Sequence, residues 1–65
     1  MYDFVFFVHF ENGQEIVTVR NAELGYADGV AKRVKECNCT EIITWVCFDK
    51  SKKIVKSGII NKQGD

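Results

Sequence analysis

The first ten residues contain a run whose two alternating sets of side chains are both apolar. One set consists of Phe4, Phe6, Val8 and Phe10, and the other consists of Val5, Phe7 and His9. Successive side chains of a β-strand point to opposite faces of the sheet, so this strand is apolar on both sides. A chain of 65 residues with one plausible helix can cover only one face of a sheet. The pattern therefore predicts an apolar face that no other element of the chain covers.

Length and composition indicate one small globular domain. The hydrophobic fraction of 46% excludes a disordered chain. We predict a single domain over residues 1–60 and a polar C-terminal tail over residues 61–65. A core of this size contributes only a few kcal/mol, so a second copy or another partner would add stability. The nine basic and nine acidic residues give zero net charge, which disfavours duplex DNA binding.

The sequence also bears on the compartment. No apolar run approaches the ~20 residues that a membrane helix needs. Residues 1–10 lack the cationic start and the small-residue cleavage site of a signal peptide. Three cysteines cannot all pair within one chain, which fits free thiols in a reducing compartment. We therefore expect a cytoplasmic protein with no membrane contact.

A β-hairpin is predicted at the start of the chain. The strand Tyr2–Phe10 is followed by Asn12-Gly13, a strong signal for a type I′ turn, and by a second strand over residues 15–20. If Asn12 and Gly13 form the loop, Phe10 lies opposite Glu15. One face then holds Phe4, Phe6, Val8, Phe10, Val17 and Val19, and the other holds Val5, Phe7, His9, Ile16, Thr18 and Arg20. Because the first face is the more apolar, we assign the helix to it.

A helix is predicted from Asn21, a favourable N-cap, to about Cys37. A start nearer to Asp28 remains open, because Gly25 and Gly29 weaken the first half. Asn38 suits the position after the last helical residue. The apolar stripe at helical spacing comprises Leu24, Ala27, Val30, Ala31 and Val34.

Two further strands are predicted over residues 41–48 and 53–60, joined by a turn at 49–52. In this hairpin Trp45 faces Lys56, and because a lysine resists burial we place this side of the hairpin on the uncovered face. A right-handed crossover then sets the third strand beside the first. The predicted fold class is α+β, a ββαββ domain whose four-stranded antiparallel sheet has the order 2-1-3-4 and carries one helix on one face.

The predicted function is non-catalytic binding through the uncovered face. That face is expected to hold Val5, Phe7, His9, Ile16, Thr18, Arg20, Ile43, Trp45, Cys47, Ile54 and Lys56. A patch this apolar rarely faces water on a soluble monomer. Three occupants remain open: a second copy in a homodimer, a different protein, or a single-stranded nucleic acid. The candidate binding residues are Val5, Phe7, His9, Arg20, Ile43, Trp45 and Lys56.

Within this set, Phe7 and Trp45 are expected to anchor the contact, whereas Arg20, Lys56 and His9 would set orientation or pH dependence. The small size and the lack of a linker suit an inhibitor or adaptor such as phages and mobile elements encode. For the nucleic-acid alternative, aromatic rings would stack on bases, and Arg20 and Lys56 would meet phosphates. Zero net charge and the absence of an RRM signature weigh against that alternative.

No constellation for catalysis or metal binding is evident in the sequence. Cys37 and Cys39, with Cys47 and His9, could supply four zinc ligands, but one intervening residue is fewer than the usual two to four. His9 and Cys47 form the only conceivable dyad, and no third residue is placed to orient it. The carboxylates are scattered, and no glycine-rich phosphate loop exists. We therefore expect no enzyme activity, no metal and no cofactor.

Overall fold

The computed structural model describes residues 1–36 and 42–61, without the side chain of Lys35. Its elements are β1 (Tyr2–Phe10), β2 (Gly13–Ala22), α1 (Tyr26–Glu36), β3 (Ile42–Phe48) and β4 (Ile54–Ile60). The strands form one antiparallel sheet with the order β2-β1-β3-β4. The predicted α+β class and strand order are therefore confirmed.

The core lies between one face of the sheet and α1. The two central strands supply most of it, since β1 and β3 carry aromatic and β-branched side chains that suit a pleated surface. Ala27 and Val34 of the predicted stripe are buried, and Val30 and Ala31 pack against the core at partial burial. The buried residues are Phe4, Phe6, Ala27, Val34, Ile43, Trp45, Cys47 and Ile60.

Phe4 is the centre of an aromatic cluster that ties the helix to the sheet. Its ring centroid lies 5.6 Å from that of Tyr26, 5.9 Å from that of Trp45 and 6.0 Å from that of Phe6. Tyr26, the first residue of α1, also meets Phe6 edge-on at 6.1 Å. Ring pairs at these separations add stabilisation beyond the area they bury. Tyr26 is not part of the predicted apolar stripe.

The first hairpin has a different register from the one predicted. Phe10 lies opposite Gly13, and Val8 lies opposite Glu15, so the loop is Glu11-Asn12. Gly13 has a φ of 154°, which residues with a side chain rarely adopt. The glycine that this turn requires therefore lies just after the loop. The register differs by two residues, an even number, so the predicted division of β1 and β2 between the faces is retained.

The helix begins later than the predicted Asn21, which belongs to β2. Asn21 has a φ of 56° and lies where the register between β1 and β2 shifts, so it forms part of a bulge and is not an N-cap. Its backbone N–H donates to Asp3 Oδ1 at 3.2 Å. The first turn is closed instead by Tyr26 N–H, which donates to the Glu23 carbonyl at 3.0 Å.

The second hairpin is also shifted, and the predicted placement of Trp45 is wrong. Trp45 lies opposite Phe6 on one side and opposite Gly58 on the other, so it shares the helix-covered face. Its side chain is 8% exposed. An additional residue in β4 produces a bulge between the pairs formed by Cys47 and Phe48. Because of this bulge, Ile54 lies on the side of the sheet without a helix, as predicted, although Cys47 lies on the helix side.

No helix within residues 1–36 and 42–61 is long and apolar enough to cross a bilayer. Some predictions lie outside the described residues: the helix end at Cys37, the capping role of Asn38, and the tail beyond Asn61.

Candidate protein-interaction face

The face of the sheet opposite α1 is called the open face below. The register assigns its residues strand by strand: Asp3, Val5, Phe7 and His9 from β1; Gln14, Ile16, Thr18 and Arg20 from β2; Ile42, Thr44, Val46 and Phe48 from β3; and Ile54, Ser57 and Ile59 from β4. No element within the described ranges packs against this face. It is therefore the surface on which the predicted binding residues have to be judged.

Four isoleucines make this face unusual for a surface. Ile59 is 70% exposed, Ile54 62%, Ile16 58% and Ile42 43%. They lie on three of the four strands, so the apolar surface extends across the sheet from the β2 edge to the β4 edge. Isolated exposed apolar side chains are normal, but a contiguous group of them marks a contact surface.

The middle of the open face carries no charged side chain. One row across the sheet runs from Ile16 through Phe7 and Thr44 to Ile59, and the next runs from Thr18 through Val5 and Val46 to Ser57. The residues from the central strands are half-buried by their neighbours. Apart from Phe7, the side chains of these rows are β-branched or carry a hydroxyl group, so the rows offer a partner an uncharged surface.

His9 lies beside these rows at one end of the face. Its Nε2 and Thr44 Oγ1 share a hydrogen bond of 3.1 Å. The residues paired with His9 are Gln14 and Ile42, and neither of them is titratable. The bond holds the imidazole against β3, so His9 contributes a polar side chain in a fixed position to the open face.

The structure divides the predicted binding residues into two groups. Val5, Phe7, His9 and Arg20 lie on the open face as expected. The predicted placement of Ile43 and Trp45 on the open face is wrong, because both are buried under the helix.

Lys56 lies opposite Cys47, on the helix side of the sheet, so its assignment to the open face is also wrong. The prediction assumed that a lysine on the helix side would be buried, but Lys56 belongs to an edge strand and its side chain is exposed there. A lysine on an edge strand can reach water from either face, so it does not indicate which face is covered.

Six residues of β3 and β4 on the open face were not predicted, because the two sides of this hairpin were assigned the wrong way round. They are Ile42, Thr44, Val46, Phe48, Ser57 and Ile59. One signal could have identified them. Gly58 leaves space for a large ring on a neighbouring strand, and Trp45 is the only tryptophan of the chain.

The other predicted chemistry of the chain finds no site in the described part. Cys47, which was expected on the open face, is fully buried under the helix. Burial raises the pKa of its thiol, and this effect outweighs the positive charge of Lys56, which by itself would lower the pKa. A raised pKa disfavours the nucleophilic thiolate. Residues 1–36 and 42–61 contain no group of three or more His, Cys, Asp or Glu side chains that could hold a metal ion. Cys37 and Cys39 lie outside these ranges.

The chain matches no family model, no curated protein and no solved structure. What the open face does is therefore inferred from its own residues and geometry.

Proposed function

We propose that the protein is a small non-catalytic interaction module that self-associates by stacking the open faces of two copies. The observation that carries this proposal is the group of exposed isoleucines, 43–70% accessible, on the side of the sheet without a helix. Moving that surface out of water stabilises the pair by roughly 25 cal/mol per Å². Stacking would also give the central strands β1 and β3 a second packed layer, which a small domain otherwise lacks.

The size of the face fits a weak, reversible homodimer. With strands about 4.8 Å apart and a rise of about 3.3 Å per residue, a sheet of this kind measures roughly 19 by 23 Å. Two such faces would remove on the order of 1,000 Å² from water in total, which is near the lower bound for a specific interface. Sheets that stack in this way cross at about 30°. We therefore expect a dissociation constant in the micromolar range or above.

The distribution of charge also favours a second copy. The chain has zero net charge, so two copies do not repel each other at long range. The central rows of the open face contain only apolar side chains and hydroxyl groups, which meet their own kind without burying a charge. A face with this composition is self-complementary, as a two-fold interface requires.

Two other occupants of the open face are outcomes of the test. A different protein, which an inhibitor or adaptor would bind, needs the same exposed isoleucines. Single-stranded nucleic acid loses support, because Trp45 is buried and Lys56 lies on the helix side. The aromatic residues left on the face, Phe7 and Phe48, are half-buried, and they offer less ring surface for base stacking.

We place the proposed pair in the cytoplasm, in line with the predicted reducing compartment. The support is that Cys47 is a free thiol. Cell fractionation with an antibody against the chain tests this placement, and recovery outside the cytoplasmic fraction would contradict it.

The proposal is tested by sedimentation equilibrium over a wide range of protein concentration. We expect the mass to rise with concentration from 7.4 kDa toward twice that value. Ile59→Lys and Ile16→Lys each put a charge into the stacked surface, and each should raise the dissociation constant by about tenfold or more, equivalent to about 1.4 kcal/mol. Both residues lie on edge strands and are exposed, so the monomer should keep its circular dichroism spectrum.

Leu24→Lys is the matched control. Leu24 is 42% exposed and lies in the turn before α1, away from the open face, so its replacement should leave the dissociation constant unchanged. A chain that stays monomeric at every concentration contradicts the proposal. So does association that Ile59→Lys and Leu24→Lys weaken equally. If the monomer bound a single-stranded oligonucleotide, the open face would be a nucleic-acid-binding surface and the proposal would be contradicted.

A further inference from the structure

One end of the open face contains a cleft that the proposed stacking does not explain. It opens where β1 begins and β3 ends, and its volume is ≈ 310 Å³. Its lining comes from three strands and the turn between β3 and β4. The lining residues are Asp3, Val5, Thr18, Arg20, Phe48 and Lys52.

 At ≈ 310 Å³ the cleft is at the lower end of the sizes typical of small-molecule sites.

Two cations from different elements face this cleft. Arg20 comes from the end of β2, and Lys52 comes from the turn between β3 and β4. Neither forms an ion pair with a carboxylate inside residues 1–36 and 42–61. Two cations that line one depression favour an anionic group there.

The carboxylate in the lining, Asp3, is already engaged. Its Oδ1 accepts the backbone N–H of Asn21 at 3.2 Å, and the Asn21 side-chain oxygen accepts from Lys50 Nζ at 3.3 Å. Asp3 therefore holds the β2 bulge that precedes the helix. With Arg20 and Lys52 counted against Asp3, the cleft carries one excess positive charge, which matches a ligand with a single negative charge.

The turn that carries Lys52 is held by Asp49. Asp49 Oδ1 accepts the backbone N–H groups of Ser51 at 2.8 Å and of Lys53 at 3.0 Å, and the Asp49 carbonyl accepts that of Lys52 at 3.0 Å. Lys52 has a φ of 64°, an uncommon conformation for a residue other than glycine. These bonds hold the Lys52 backbone in place beside the cleft.

The remaining lining residues specify the rest of the ligand. Phe48 and Val5 form an apolar wall, and Thr18 adds a hydroxyl group. We propose that this cleft binds a carboxylate carried on an aromatic or branched apolar group, with the carboxylate at Arg20 and Lys52 and the apolar group on Phe48. The guanidinium of an arginine can hold a carboxylate through two parallel hydrogen bonds. The ligand is either a free small acid or the C-terminal residue of a peptide.

The test is a titration of isotope-labelled protein with phenylacetate, followed by NMR. We expect saturable shifts centred on Arg20, Lys52 and Phe48, with a millimolar dissociation constant that rises with salt. Phenylacetamide, which has the same ring and no charge, should give no saturable shifts. Equal binding of both compounds, no saturation, or shifts spread over the whole open face would overturn the proposal.

Substitutions locate the site. Arg20→Gln combined with Lys52→Gln should weaken phenylacetate binding by about tenfold or more, because each lost cation removes a charge-assisted hydrogen bond. Arg20→Gln combined with Lys53→Gln is the matched control. Lys53 belongs to the same turn but does not line the cleft, so this pair should lose less affinity. Equal losses in the two double variants would contradict a role for Lys52.

A second titration distinguishes the two sources of the carboxylate. Acetyl-Gly-Phe with a free C-terminus is compared with the same peptide in its amidated form. Tighter binding of the free acid peptide than of phenylacetate assigns the cleft to a peptide terminus, and the reverse order assigns it to a small acid. Failure of both acids to bind overturns the proposal. Since sedimentation is measured without either acid, this failure is distinguishable from failure of the proposed self-association.

Discussion

Trp45 and Gly58 lie directly opposite each other on β3 and β4, and the indole occupies the space where a side chain at position 58 would stand. A Cβ atom on Gly58 would approach Trp45 Cε2, Cζ2 and Nε1 to 2.9 Å. Real Cβ atoms essentially never show such a distance, so Gly58→Ala must displace the ring or the strand. We expect the free energy of unfolding to fall by about 1–3 kcal/mol, measured by urea denaturation.

Gly29→Ala is the matched control for this substitution. A Cβ on Gly29 meets no atom within 4 Å, and the residue lies inside α1. The same chemical change should raise the free energy of unfolding by about 0.5–1 kcal/mol there, because alanine favours a helix over glycine. If Gly58→Ala stabilised the protein as Gly29→Ala does, the indole could not lie over Gly58.

Trp45 is a core residue, and its removal should affect folding before it affects binding. Trp45→Ala is expected to cost about 3–5 kcal/mol. This is a large share of the stability of so small a domain, at about 0.05–0.15 kcal/mol per residue. Far-ultraviolet circular dichroism and NMR dispersion should therefore show an unfolded or largely unfolded chain. Ile59→Ala, at an exposed position, should remain folded. A folded Trp45→Ala variant that only associates less would contradict the placement of the indole.

The fold could be predicted from the sequence because the evidence for it was redundant. The double-sided apolar pattern of Tyr2–Phe10 identified a central strand, and the handedness of the crossover then determined the strand order. The division of β1 and β2 between the faces was correct although the hairpin register was wrong, because the error was an even number of residues.

The candidate site was predicted for β1 and β2 but not for β3 and β4. Both alternating sets of β3 are apolar, so the pattern alone does not say which set faces the helix. The decision depended on Lys56, and an edge-strand lysine can reach water from either face. The close approach of Trp45 to Gly58 is a contact between strands, and it is the relationship that decides the question. The sequence pattern also gave no sign of the bulge in β4, so Cys47 and Ile54 were predicted to share a face although they lie on opposite faces.

The buried thiol of Cys47 gives the stability a dependence on alkaline pH. Burial raises the pKa of the folded thiol above its ordinary value, which the exposed thiol of the unfolded chain keeps. Between the unfolded pKa and the raised folded pKa, the folded state binds more protons, so stability falls as pH rises through this window. Urea denaturation from pH 7 to about pH 10 should show a steeper decline for the native chain than for Cys47→Ala. Parallel declines would contradict this account of Cys47.

The turn between β3 and β4 should tolerate a glycine at one lysine and not at the next. Lys52 has a φ of 64°, a conformation that costs a residue with a side chain about 1–2 kcal/mol. Lys52→Gly should therefore leave the free energy of unfolding unchanged or raise it by up to about 1 kcal/mol. Lys53→Gly relieves no such strain and should lower it by about 0.5–1 kcal/mol. Thermal denaturation of the two variants side by side gives the comparison, and equal losses would show that Lys52 carries no strain.

The central claim, that two copies meet through their open faces, is tested most directly by intermolecular NOEs. Labelled and unlabelled chains are mixed at a concentration where the dimer is populated, and isotope filtering keeps only contacts between copies. We predict NOEs from the methyl groups of Ile16, Ile42 and Ile59 and from the ring of Phe7, with none from Val34 or Ala27 under the helix. Intermolecular contacts from α1 alone, or a dimer whose isoleucine methyl groups on the open face show no contact between copies, would contradict the claim.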